Sequence, residues 1–146
     1  MPLSPKRLIT THTSIIATAV IYFLVASQEY SDLLEFLEVG IEGETQEKHV
    51  EIALFIGAGI VYLGLLVWIL KTKLKSRVPY VVLAAVSVVL IATYLASRTI
   101  GVPIVGVEYY VGKLDMVNKA LQVIIIGISA YMIFSPQKTT IKENVR

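Results

Sequence analysis

The sequence predicts an all-α integral membrane protein, a four-helix bundle with both termini in the cytoplasm and a short amphipathic helix in its first outer loop. Three observations lead to this fold class. Charged residues make up 16% of the 146-residue chain, whereas soluble domains carry about 25%. Four apolar stretches each come close to the ~20 residues that cross a bilayer. Basic residues are concentrated on one side of these stretches.

The composition also excludes several classes of protein. The chain has no cysteine, which rules out a disulfide scaffold, thiol catalysis and cysteine-ligated zinc or iron–sulfur centres. Hydrophobic residues make up 55% of the chain, and the mean hydropathy is +0.73, so the chain is not disordered. None of these numbers supplies an activity.

The chain forms a single domain, residues 1–146, with spans expected at residues 8–26, 50–70, 78–96 and 115–134. Lys6 and Arg7 precede the first span. Pro79 suits the first turn of the third span, where the missing backbone N–H has no helical partner to lose. Pro136 stops the fourth span. An even number of spans places both termini on the same side of the membrane.

Positively charged loop residues assign that side to the cytoplasm. The N-terminus, the turn 71–77 and the tail after Pro136 together hold nine basic residues and one acidic residue. The opposite side holds four basic and ten acidic residues. Because the three basic segments agree, the sequence predicts cytoplasmic termini and a multi-pass protein of the cell membrane.

Small residues indicate close packing between the spans, because they let helix backbones approach each other. They occur at Thr10, Ser14 and Thr18 in the first span and at Ala53, Gly57, Gly59 and Gly64 in the second. The pattern predicts a bundle without identifying which helices are neighbours.

The first outer loop contains an amphipathic segment from Ser31 to Gly40. Its acidic residues recur every third position, with leucines and Phe36 opposite, which predicts a short helix capped by Ser31 and ended by Gly40. Helices on a membrane surface usually present lysine or arginine. An acidic helix therefore favours a cap over the bundle or a contact with a partner through Glu35, Phe36 and Leu37. The alternative is a helix that only rests at the interface.

The second outer loop, residues 99–112, combines several glycines with Pro103, so a continuous helix is excluded there. Tyr109 and Tyr110 are the further candidates for contact with a partner. The alternative is that they belong to the aromatic belt at the membrane–water interface.

Polar residues gather near the outer ends of the last three spans. Asp115, Lys119 and Gln122 share one face of the fourth span, and Glu51 and Arg98 lie at the same depth in the second and third. Ionisable residues at the centre of a span cost about 2.5–3.5 kcal/mol and usually have a partner, and Asp115 can pair with Lys119 at i, i+4. We call these five residues the outer polar cluster.

Two roles for the outer polar cluster are open. In the first, a network of ion pairs and hydrogen bonds ties three helices together. In the second, a polar pocket accepts a small ligand or a residue of a partner. A third interpretation is that the long side chains only extend to the interface.

Neither histidine predicts a haem or metal site. His12 and His49 lie near opposite edges of a bilayer about 30 Å thick, so they cannot ligate one haem, and one histidine among acids is a weak metal pattern. Transport is also disfavoured, because the inner halves of the last three spans carry no charge. The sequence predicts no metal, no cofactor and no nucleic-acid partner.

The run Ser97-Arg98-Thr99-Ile100-Gly101-Val102-Pro103 is followed by Gly112-Lys113-Leu114-Asp115 and then by Lys119 and Gln122. This pattern resembles an uncharacterised family of small four-span membrane proteins of bacteria and archaea. The resemblance implies that Arg98 and Asp115 form an ion pair that closes the second outer loop. The chain departs from the family pattern at Val105, where the family has glycine, and at Gln122, where a glutamate is usual. The second departure removes support for an acid–base role.

In size, span number and lack of a metal motif, the chain is also similar to the accessory membrane subunits of the copper-dependent ammonia monooxygenase of archaea. These observations favour a non-catalytic structural or accessory subunit of an integral membrane complex, in contact with lipid and with other membrane subunits. The alternative is a stand-alone membrane protein with a small-ligand or enzymatic site in the outer polar cluster.

Overall fold

The computed structural model describes residues 5–40, 42–72, 76–101, 107 and 112–134. Its secondary structure is entirely helical, with helices α1 (Pro5–Val39), α2 (Glu42–Thr72), α3 (Val78–Thr99) and α4 (Lys113–Phe134). Each helix is long and apolar enough to cross a membrane. The all-α class and the four helices able to span a bilayer are therefore confirmed. Tyr109 and Tyr110 lie outside the described residues.

Helix α1 continues through the segment for which a separate helix was expected. No glycine or proline occurs between Pro5 and Gly40, so nothing in the backbone interrupts the helical hydrogen bonds. The hydroxyl of Ser31 donates to the carbonyl of Ser27, 3.1 Å away, inside the helix, and Ser31 is not an N-cap. The segment expected to form a cap over the bundle is instead the continuation of α1. Gly40 ends it with a φ of +78°, which favours glycine.

The ends of α3 and α4 follow their local sequences. Pro79 lies in the first turn of α3, as predicted. Beyond its last turn, Gly101 takes a φ of +79° and donates its N–H to the carbonyl of Ala96 at 2.9 Å. Asp115 lies in the first turn of α4, where a carboxylate interacts favourably with the helix dipole.

The four helices form a ring in which each helix contacts two neighbours. Helices α1 and α2 share the most extensive interface, α3 packs on α4, α1 packs on α4, and α2 and α3 contact each other least. The Lys48–Glu29 pair links α1 to the first turns of α2. At the same end of the bundle, the Arg98–Asp115 pair links the end of α3 to the start of α4. We call this end of the bundle the Arg98 end.

The core of the ring is mainly apolar, with small buried polar residues such as Ser14, Thr18 and Ser129 among its apolar side chains. Its buried members include Ile15, Ala19, Tyr22, Tyr62, Leu66, Tyr80, Leu83 and Ile125. Many other large apolar side chains point outward from the bundle. Such a surface suits lipid, which is as apolar as leucine.

Close packing of α1 on α2 depends on one of the predicted small residues of α2, Gly59. A Cβ atom on Gly59 would lie 2.8 Å from Cζ of Phe23, whereas Gly57 and Gly64 have open space around them, and Ala53 is exposed. The close approach therefore needs Gly59. The four-residue spacing was a poor guide because it also occurs on the outward face of α2.

Helices α1 and α2 are longer than α3 and α4. At 1.5 Å per residue, the 35 residues of α1 span about 52 Å and the 22 residues of α3 about 33 Å. Val39 lies ten residues beyond Glu29, or about 15 Å along the helix. The paired segments 30–39 and 42–50 therefore project from the Arg98 end, and we call them the hairpin tip.

Candidate functional site

A buried hydrogen-bond network connects all four helices through Gln122. Its Nε2 donates to the hydroxyl of Tyr22 on α1 at 2.7 Å and to that of Tyr62 on α2 at 3.2 Å. The Tyr62 hydroxyl lies 2.8 Å from Oγ of Ser87 on α3. Ser87 donates to the carbonyl of Leu83 at 2.9 Å, so Tyr62 is the donor to Ser87. Because a buried polar group without a partner is costly, these bonds fix how the helices face one another.

Lys119 extends this network toward the Arg98 end. Its Nζ donates to Oε1 of Gln122 at 3.2 Å. It also lies 4.8 Å from the ring centre of Tyr94 and 5.7 Å from that of Tyr22. Such cation–π contacts are worth about 0.5–2 kcal/mol, with the larger values at desolvated sites. The ammonium is thus held by an amide oxygen and two aromatic rings.

Arg98 and Asp115 form an ion pair between α3 and α4. Nη2 of Arg98 lies 3.4 Å from Oδ2 of Asp115, and both side chains are largely buried. The guanidinium carbon also lies 4.9 Å from the ring centre of Tyr94. The pair therefore tethers the ends of two helices that flank the second outer loop.

A second group of ion pairs ties α1 to α2. Nζ of Lys48 lies 2.5 Å from Oε2 of Glu29 and 3.1 Å from Oε2 of Glu51. Glu51 is buried. One lysine between two carboxylates fixes the base of the hairpin tip, since removing it would leave two like charges close together.

A cavity of about 350 Å³ lies between these two groups. All four helices contribute to its lining. The polar and aromatic lining residues are Tyr22, Glu29, Glu51, Thr93, Tyr94, Ser97, Arg98, Asp115 and Lys119, and the apolar ones are Val25, Leu54, Phe55, Ala58, Val89 and Leu90. Its volume lies at the lower end of the 300–1,000 Å³ typical of ligand pockets.

The outer polar cluster is distributed over both groups. Arg98, Asp115, Lys119 and Gln122 lie together at the ends of α3 and α4, whereas Glu51 pairs with Lys48 across the cavity. The expected i, i+4 pair is absent from the described ion pairs, since Asp115 contacts Arg98 and Lys119 contacts Gln122. Asp115 pairs with Arg98 because the long side chain of Arg98, at the end of α3, reaches the carboxylate at the start of α4.

The expected partner-contact residues of α1 lie on the hairpin tip. Glu35 and Leu37 are exposed, and Phe36 is half-buried beside the fully covered Leu33. His49 is bound within its own helix, with Nδ1 donating to the carbonyl of Thr45 at 2.6 Å. Within the described ranges, no three His, Asp or Glu side chains are grouped closely enough to hold a metal ion.

Comparison with known proteins gave no match to any family model, curated protein or solved structure.

Sequence reasoning missed the residues that complete the site. Tyr22, Tyr62 and Tyr94 supply the hydroxyls and rings, and Glu29 and Lys48 supply the second group of ion pairs. The sequence did contain a signal for Tyr22 and Tyr62, because a tyrosine in the middle of an apolar span carries a hydroxyl that needs a hydrogen-bond partner. Glu29 gave no such signal, since the first span was expected to end before it.

Proposed function

We propose that the chain is a non-catalytic accessory subunit of an integral membrane complex, a multi-pass protein of the cell membrane with cytoplasmic termini. The hairpin tip carries this proposal. With the termini in the cytoplasm, the hairpin tip projects on the outer side of the membrane, beyond the level at which α3 ends and α4 begins.

The hairpin tip exposes apolar side chains that the rest of the bundle does not cover. Tyr30, Leu34, Leu37 and Val39 are between 46% and 74% exposed. Residues 30–50 also contain six acidic residues against the single Lys48. Large apolar side chains that recur on an extramembrane helix mark an interaction site. The partner that fits is a membrane subunit whose outer surface carries an apolar patch bordered by lysine or arginine.

The ion pairs below the tip support a structural role. Asp115 is engaged by Arg98, and Glu29 and Glu51 are engaged by Lys48. Carboxylates held in this way stabilise a fixed orientation of the helices and are poorly placed to exchange protons with a substrate.

The test is purification from native membranes in mild detergent, with identification of the chains that co-migrate. We expect a defined complex that is lost in the double variant Leu34→Ser, Leu37→Ser. Ser31→Ala, an exposed position on the same helix, is the matched control and should retain the complex. Migration of the unaltered chain as a lone monomer would overturn the proposal. The resemblance to accessory subunits of ammonia monooxygenase makes that complex the first to examine in an ammonia-oxidising archaeon.

A second candidate function is a site for a small ligand in the outer leaflet. The specific observation in its favour is the cavity, which has a ligand-sized volume, apolar walls and a few convergent polar groups. This function and the first are compatible, because the cavity and the exposed face of the hairpin tip involve different residues.

A further inference from the structure

We propose that the cavity binds a single-chain amphiphile with an anionic headgroup, which enters from the membrane and places its headgroup on Lys119. The inference rests on the second proposed function, the small-ligand site, and names the chemistry of that ligand. It is independent of the accessory-subunit proposal.

Lys119 is the cation in the cavity that lacks a carboxylate partner. Among the described residues its ammonium makes no ion pair within 4.0 Å, in contrast to Lys48 and Arg98. An ammonium has three donors, and one of them is used on Gln122. A partly buried positive charge with no carboxylate in direct contact is costly. A carboxylate or phosphate in the cavity would supply the missing negative charge and accept the remaining donors.

Tyr94, which also lines the cavity, has a second unused donor. Its ring faces Lys119, and its hydroxyl is buried without a hydrogen-bond partner in the described part of the chain. A phenol donates well to an anionic oxygen. The two groups together form a site that favours an anion over a neutral or cationic headgroup.

The other charges of the cavity do not compete for this role. Glu29, Glu51 and Asp115 already contact cations, and Lys48 and Arg98 already contact those carboxylates. The lining holds three carboxylates and two cations, Arg98 and Lys119, and Lys48 contacts Glu29 and Glu51 from outside the lining. Lys119 is the cation whose charge is not directly paired.

The walls of the cavity fit an alkyl chain. They are formed by Val25, Leu54, Phe55, Ala58, Val89 and Leu90. Leu54 on α2 and Val89 on α3 are 59% and 61% exposed, and α2 and α3 are the neighbours that contact each other least. The cavity therefore opens sideways, between these helices, toward lipid.

The volume sets how much of the amphiphile is enclosed. At roughly 30 Å³ for a water-sized group, a cavity of 350 Å³ holds about a dozen such groups. That is enough for a carboxylate or phosphate and the first several methylenes. The rest of the chain would leave through the side opening and lie among the lipid tails.

The test is displacement of a fluorescent fatty-acid analogue, 11-(dansylamino)undecanoate, from the purified full-length protein in nanodiscs. The competitors are dodecanoate, dodecyl phosphate, dodecanol and inorganic phosphate. We expect dodecanoate, dodecyl phosphate or both to displace the probe. The concentration needed for displacement should be at least tenfold lower than for dodecanol or inorganic phosphate. The tighter of the two identifies the headgroup as a fatty-acid carboxylate or a lipid phosphate.

Two variants locate the binding. Lys119→Met should weaken binding of the anionic amphiphiles by about ten- to hundredfold, which is the loss expected for a hydrogen bond to a charged group. The control is Lys71→Met, which replaces an exposed lysine at the other end of α2 and should leave binding unchanged. Ala58→Leu should exclude the probe by filling the cavity. If Ala58→Leu does not give a monodisperse protein, Val89→Phe at the opening takes its place.

The outcomes separate the ligand class from the site itself. Equal displacement by dodecanol, or no effect of Lys119→Met, would overturn the anionic headgroup while leaving a ligand site in place. Equal displacement by inorganic phosphate would overturn the alkyl-chain part. Failure of the probe to bind, or binding that neither filling variant reduces, would overturn both this inference and the small-ligand site.

Discussion

Gln122 joins side chains from all four helices, and its amide is suited to that position in a way that a carboxylate is not. The two N–H donors of its amide reach the hydroxyls of Tyr22 and Tyr62, and its oxygen accepts from Lys119. A carboxylate could accept from these groups but could donate to none of them. The residue therefore acts as a fixed connector in the core.

We expect Gln122→Leu to destabilise the bundle by roughly 1–3 kcal/mol. Three hydrogen bonds are lost, and bonds of this kind in membrane proteins average about 0.6 kcal/mol and reach about 1.7 kcal/mol. Tyr62→Phe, which removes one hydroxyl and leaves Gln122 bound to Tyr22 and Lys119, should cost less. The measurement is the free energy of unfolding in mixed detergent micelles.

The control for this prediction is Val123→Leu, an exposed apolar change one residue along α4, which should have little effect. If Gln122→Leu were as stable as the unaltered protein, the network would be a by-product of packing and would not hold the helices together.

At the level of single residues, position along the bundle could be predicted from the sequence, and the structure contains the expected ion pair of Arg98 with Asp115. The other pairings could not be predicted. Counting along the spans placed Arg98, Asp115, Lys119 and Glu51 near one end of the bundle, where the structure has them. The partners depend on how each helix is rotated about its axis. That rotation is decided by packing across the whole interface, so the contact of Glu51 with Lys48 was not visible in the spacing.

At the level of helices, the extension of α1 has a simple cause that the sequence contained. The amphipathic pattern from Ser31 to Gly40 is the end of α1, since the first residue able to stop the helix is Gly40. Periodicity identified the helix correctly. The separate start at Ser31 was wrong because a residue that often caps helices also bonds readily to the carbonyl one turn earlier, as Ser31 does.

The α1–α2 interface provides a test of packing at the same scale. We expect Gly59→Leu to destabilise the bundle by about 1–3 kcal/mol, the usual cost of overpacking, because even a Cβ atom would lie 2.8 Å from the Phe23 ring. Gly57→Leu, where there is open space, should be close to neutral. Unfolding in detergent measures both variants.

A second substitution makes this prediction specific to the contact. Phe23→Ala introduced together with Gly59→Leu should recover part of the lost stability, because the ring that blocks the larger side chain is gone. Equal destabilisation by Gly57→Leu and Gly59→Leu would mean that helix backbone effects, and not the contact with Phe23, determine the cost.

At the level of the whole molecule, the unequal packing of the four helices explains both candidate functions. The extensive α1–α2 interface allows these two helices to continue beyond the level at which α3 ends and α4 begins, as the hairpin tip. The sparse α2–α3 interface leaves the cavity open at the side. We propose that the first feature contacts another protein and that the second accepts a lipid. The sequence suggested a contact segment and a polar pocket, but not the projection of the tip or the side of the cavity, because small residues indicated a bundle and not which of its interfaces would be tight.

The predicted orientation can be tested directly because the chain contains no cysteine. Ser31→Cys places a single thiol on the exposed side of the hairpin tip, and Ser76→Cys places one in the turn before α3. With nine basic residues and one acidic residue on the side of the termini, insertion should leave that side in the cytoplasm. A maleimide that does not cross membranes should therefore label Ser31→Cys in intact cells, and label Ser76→Cys only after the membrane is permeabilised.

The unaltered chain, which has no thiol, controls for non-specific labelling, and total labelling in denaturant controls for the amount of each variant. Labelling of Ser76→Cys but not Ser31→Cys in intact cells would reverse the orientation. The hairpin tip would then face the cytoplasm, and a partner would have to be sought there. Equal labelling of both variants in intact cells would contradict a four-span topology, because the two positions are separated by one crossing of the membrane through α2.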